Sequence, residues 1–112
     1  MNKKFYPSEE FVSEEVSKGV KRLILGYNEK MMMVKVDFEL NAVGALHHHF
    51  HTQTTYVLGG IFDVTIDGET RVLKKGDCFI VASGLEHGVI CKQAGSLLDV
   101  FNPFREDFLP KK

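Results

Sequence analysis

The chain has 112 residues, of which 44% are apolar and 26% charged, with a formal net charge of −1. That balance fits one folded domain, too short for two and too apolar for a disordered chain. The lack of a basic excess argues against nucleic acid or an anionic membrane surface as partner.

No run approaches the roughly 18 apolar residues of a membrane span. The opening MNKKFYPSEEF lacks the apolar stretch of a secretory signal, so a cytoplasmic location is expected. Cys78 and Cys91 are isolated thiols without CxxC spacing, expected to pack as small apolar side chains in a reducing compartment.

In chain order, residues 1–18 read as an N-terminal arm, in which residues 11–16 (FVSEEV) suit a short strand or a helical turn equally. Gly19 opens a segment rich in β-branched and long apolar residues, a strand over 20–27 that closes on Gly26 and the turn residues Asn28, Glu29 and Lys30. Residues 32–40 alternate cleanly. Met32, Val34, Val36, Phe38 and Leu40 fall on one face, and Met33, Lys35, Asp37 and Glu39 on the other, as in a half-buried strand.

Residues 44–60, GALHHHFHTQTTYVLGG, place His47, His49, His51 and Gln53 at alternating positions before a β-rich run that Gly59-Gly60 punctuates. Residues 61–66 and 70–73 flank Asp67-Gly68, a strong hairpin signal because both residues tolerate positive φ. A turn at 74–77, a strand at 78–81, a loop with Gly84, a strand at 87–91, a turn at 92–95 and a strand at 97–101 before Pro103 complete the chain. About eight short strands with regular turns indicate an all-β antiparallel sandwich or barrel.

Side chains two apart on a strand share a face, so the histidines of 44–60 can converge on one ion. Imidazole is the commonest ligand for divalent transition metals, and an amide oxygen can complete a mixed set. His47, His49 and Gln53 suit a strand or a strand entering a bend, with His87 as a fourth ligand from a distant segment. His49 and His51 form an equally good pair, but that register puts Thr55, a poorer ligand, where Gln53 stands. His48 falls on the opposite face.

Farther on, Asp99 and Phe101 share a face, and Arg105 follows Pro103. Asp99 on an inward face could act as acid or base, and Arg105 could hold a carboxylate in bidentate fashion. The same two residues could equally pair with each other and fasten the tail.

The two histidine segments resemble the paired motifs of the cupin superfamily. The first motif corresponds to His47, His49, Gln53 and Gly60, and the second to Gly76, Ala82, Gly84 and His87. Gly44 sits closer to the histidines than the family pattern has it, and Ala82 replaces the usual proline. The C-terminal LLDVFNPFREDFL is similar to the tail of the KdgF-type pectin-degradation cupins.

This resemblance implies a single-domain jelly-roll barrel (an antiparallel double-stranded β-helix) over 1–112, with metal motifs at 44–60 and 76–91 and a catalytic strand and tail at 97–109. It implies ligation of nickel, zinc, manganese or iron by His47, His49, Gln53 and His87, with Asp99, Phe101 and Arg105 as the catalytic and substrate-contacting set. The implied activity is non-redox ring opening of 4,5-unsaturated uronates, anionic sugar acids from pectin or alginate. The alternatives are a non-catalytic cupin that binds a sugar acid or other small ligand, and a metal-dependent dioxygenase, against which the amide of Gln53 in place of a carboxylate argues. A homodimer is also implied, for which the strands at 20–27 and 32–40 are candidates to pair with a second copy. No role for Thr55 or Tyr56 follows from the resemblance.

Overall fold

The computed structural model describes residues 3–110. Eight strands follow in order: β1 (Glu14–Ser17), β2 (Val20–Tyr27), β3 (Met32–Phe38), β4 (Val43–His47), β5 (Thr52–Ile66), β6 (Glu69–Lys74), β7 (Cys78–Val81) and β8 (His87–Asn102). Single 3₁₀ turns lie at Ser8–Glu10 and Glu106–Phe108. All pairings are antiparallel, in the order β1-β2-β3-β8-β5-β6, with β4 also on β8 and β7 also on β5. This is the all-β jelly-roll barrel expected from the strand spacing and motifs. Among the described residues no helix is long and apolar enough to cross a membrane.

The two long strands organise the barrel. The first part of β5 pairs with β7 and with the end of β8, and the second part pairs with β6 and with the start of β8. Gly59-Gly60 and residues 92–95 are therefore bends within continuous strands, where the sequence reads as separate elements. Register shifts at Gly59 and Ile61 mark the bulge. Glycine is required there: Gly60 has φ +85, and a Cβ on it would lie 2.5 Å from the Gln93 carbonyl oxygen.

Of residues 11–16, which suit a strand or a helical turn equally, the last three lie in β1, an edge strand on β2, and 11–13 are irregular. Strand β3 is paired on both sides, by β2 and β8, so it lacks the free edge expected for pairing with a second copy. Strand β1 covers β2 only at Val20, Lys21 and Arg22, and among the described residues no strand pairs with the outer edge of 23–27. Strand β3 ends at Phe38, and Leu40 is exposed in the following turn rather than buried with its alternating set.

Val57, Phe62, Val64, Leu97 and Cys91 form the main core, where the Phe38 and Phe62 rings meet edge to face with centroids 5.2 Å apart. Met32, Val34 and Phe101 form a second cluster. Full burial of each large apolar side chain contributes about 1.5–3 kcal/mol. Cys91 packs as expected, but Cys78 is exposed. It faces outward on β7 at the register position of Tyr56, itself 44% exposed.

Candidate metal centre

Strand register brings the distant segments together. His47 on β4 stands opposite His87 at the start of β8, while Gln53 and Thr55 on β5 stand opposite Phe101 and Asp99 on β8. His49 is not on a strand: β4 ends at His47, and a loop carries His49 back toward Gln53, tied where the His49 carbonyl accepts the Gly84 N–H at 2.8 Å. One candidate ligand atom from each of His47, His49 and His87 can be chosen so that all lie within 4.8 Å of one another. Gln53 Oε1 sits 3.2 Å from His49 Nε2.

The ring orientations are set from behind. Nδ1 of His47, His49 and His87 contacts the carbonyl oxygens of Ala45, His51 and Leu85 at 2.8, 3.1 and 2.9 Å. A carbonyl can only accept, so Nδ1 of His47 and of His87 carries the hydrogen and Nε2 keeps its lone pair. His49 faces an acceptor oxygen from both nitrogens, and with its hydrogen on Nδ1 its Nε2 lone pair stands against Gln53 Oε1. His87 Nε2 is buried without a partner. The Gln53 amide is spent on Thr55 Oγ1 at 2.9 Å and Asp99 Oδ1 at 3.3 Å, which turns its oxygen toward the His49 lone pair. Acceptors converging without a donor between them fit a cation.

Burial, the Arg105 cation and His87 lower the His49 pKa to about 4, which keeps the ring neutral and able to ligate near neutral pH. Burial likewise lowers that of His87. His51 is buried, but its Nε2 meets the Phe104 carbonyl at 3.1 Å, so this ring serves the C-terminal tail. His48 is exposed and outside the cluster.

His47, Gln53, His87, Asp99, Phe101 and Arg105 line one cavity of about 320 Å³. Burial raises the Asp99 pKa from 3.8 to about 6, against the opposing pull of the Thr55 hydroxyl, Arg105 and Gln53. Asp99 and Arg105 do not pair. Arg105 donates from Nε and Nη2 to the Asp107 carboxylate at 3.0 and 2.9 Å, and its guanidinium lies over the rings of Phe108 (4.2 Å) and Phe101 (5.1 Å).

Sequence reading does not find Asp107, Phe108, Thr55 or Arg22. Arg22 lines the same cavity, bound to Glu14 at 2.7 Å with its guanidinium 3.9 Å from the Phe108 ring centre. The i, i+2 spacing of Arg105 and Asp107, and of Gln53 and Thr55, was the available signal for two of these.

The cupin domain model matches residues 34–101. The pectin degradation protein KdgF of Dickeya dadantii (strain 3937) is 40% identical over 109 residues, covering 96% of this chain and 99% of that protein. Among solved structures, an RmlC-like cupin from Shewanella frigidimarina NCIMB 400 superposes with a TM-score of 0.92 at 41% identity, covering 96% of this chain and 97% of the other. KdgF from Halomonas sp. superposes with a TM-score of 0.89 at 34% identity, covering 96% and 100%. With the motif histidines gathered at one end of a jelly-roll barrel and these likenesses spanning nearly its whole length, the chain belongs to the cupin family.

Proposed function

We propose that this protein is a non-redox metalloenzyme that opens the ring of 4,5-unsaturated uronates released from pectin or alginate. The observation that carries this reading is the presence of a desolvated carboxyl, Asp99, in one cavity with His47 and His87 of the histidine cluster and a braced guanidinium, Arg105. Likeness to two KdgF proteins, one named for pectin degradation, supports the substrate class. In this reading His47, His49, His87 and Gln53 hold a divalent transition metal. Bound by neutral ligands, such an ion supplies Lewis acidity toward substrate oxygens without changing oxidation state.

The remaining steps belong to side chains. Asp107 takes one edge of Arg105, leaving Nη1 to hold the substrate carboxylate. Phe101 gives the sugar an apolar floor. Asp99 as carboxylate takes the proton of the anomeric hydroxyl. The C1–O5 bond then breaks as C1=O forms, its electron pair going to O5 and leaving an enolate at C5. Asp99 returns the proton to C4 as C5=O forms, so the product is an isomer of the substrate. Burial pushes the Asp99 carboxyl upward while a bound cation would pull it down, favouring the carboxylate that starts the reaction, and a carboxyl so balanced suits both transfers.

A homodimer belongs to the same reading. Met33 and Ile80, 41% and 66% exposed, lie in one row of paired residues through Val100 and Thr54, a face a second copy could cover.

Incubation with an unsaturated monouronate should erase its ultraviolet chromophore. Chelator should stop the loss, and Asp99→Asn should slow it by about 10²–10⁴-fold. A chelator-insensitive rate, or wild-type speed in Asp99→Asn, refutes the mechanism. Uronate that is bound and returned unchanged indicates a binding protein instead.

A further inference from the structure

We propose that Thr55 is a positioning residue: its hydroxyl orients the Gln53 amide so that the oxygen faces the metal position, and fixes which oxygen of Asp99 faces the cavity. The inference rests on the metal reading above.

Thr55 is 1% exposed and stands opposite Asp99 in the β5·β8 register, two residues from Gln53 and on the same face. Its Oγ1 donates to Asp99 Oδ1 at 2.7 Å and accepts from Gln53 Nε2 at 2.9 Å, while Gln53 Nε2 also reaches Asp99 Oδ1 at 3.3 Å. The three groups close a ring.

A hydroxyl has one hydrogen, and here the carboxylate takes it. The hydroxyl can then only accept from Gln53, which demands the nitrogen end of the amide. A flipped amide would set its oxygen against the filled lone pairs of both Thr55 and Asp99, and its N–H groups toward the His49 Nε2 side. The ring therefore excludes the rotamer in which Gln53 could not ligate. It also places two donors on Asp99 Oδ1, leaving Oδ2 for the cavity. Without Thr55, the amide would be held only by the longer bond to Asp99.

The test is titration of the full chain with Co²⁺, whose visible absorption reports both affinity and ligand set. Thr55→Val should weaken Co²⁺ binding about tenfold or more, in the range found for groups that orient metal ligands, and should alter the spectrum. Thr55→Ser, which keeps the hydroxyl, should bind as wild type does. In uronate turnover, Thr55→Val should lower kcat more than it changes KM.

Wild-type affinity and spectrum in Thr55→Val overturn the proposal. So does equal weakening in Thr55→Ser, which would assign the effect to methyl packing, and so does a wild-type protein that binds no Co²⁺. The Co²⁺ readout requires no uronate, so a failure of the ring-opening reaction is distinguishable from a failure of this assignment.

Discussion

Replacing Asp99 by Asn should reveal the cost of keeping a carboxyl in the barrel. Burial raises its pKa from 3.8 to about 6, so between those values the folded chain binds the proton more tightly than the unfolded chain does. Linkage then makes stability fall as pH rises through this window. At about 1.36 kcal/mol per pKa unit the full effect is about 3 kcal/mol, of which the wild type should lose about 2.4 kcal/mol relative to Asp99→Asn between pH ~4 and pH ~7. His49, His51 and His87 act in the opposite sense: their folded pKa values are lowered, so they contribute stability that is lost as pH falls below the unfolded value of 6.5. To first order that term is common to both proteins and cancels in the difference. Urea unfolding of the chelator-treated proteins across pH 4 to 8 measures it. A difference that stays flat, or that favours the wild type as pH rises, refutes the view that Asp99 is held in a desolvated site.

Two further predictions address the centre and its scaffold. Ni²⁺ added at about 100 times its Kd should stabilise the wild type by about 2.7 kcal/mol, which for a domain of this size is a rise in Tm of about 10 °C. His87→Ala should show much less, and equal shifts in both would place the ion elsewhere. Gly60→Ala should cost at least about 2 kcal/mol, because positive φ and contact with the Gln93 carbonyl act together, whereas Gly68→Ala, with φ +79 but open space around it, should cost about 1 kcal/mol. Equal shifts in urea midpoint would contradict the close approach at Gly60.

Local chemistry made much of the barrel legible. The alternation at 32–38 marks β3, and Asp67-Gly68 turns where expected, with φ of 49° and 79°. Gly59-Gly60 misleads because a bulge and a turn use the same residues. Which one forms depends on Gly95, which meets these glycines from thirty-five residues away. The candidate ligands were legible for a similar reason: imidazoles this dense have few structural uses, and three of them gather within 4.8 Å. The reason His49 reaches the cluster was not, because a strand face and a loop can present the same i, i+2 spacing. Asp99 was legible as an inward carboxyl, but its partners Thr55 and Gln53 are set by the register of β5 on β8, which is a non-local fact.

The amide at Gln53 now has two reasons to be an amide. From the sequence it reads as a neutral ligand that leaves the metal charge uncompensated. In the folded chain the same side chain donates to Thr55 and to Asp99. An ionised glutamate could offer its oxygens to the metal but no hydrogen to Asp99, and would bring a second negative charge to within about the 3.3 Å that the nitrogen now spans. Two carboxylates so close cannot both ionise freely, and one would be held protonated at neutral pH. In the proposed reaction the neutral amide would keep the Asp99 carboxylate outside the ligand set and available to accept and return a proton. The proposed division of labour between ligand and base thus follows from which residue at this point of the β5·β8 pairing carries N–H groups.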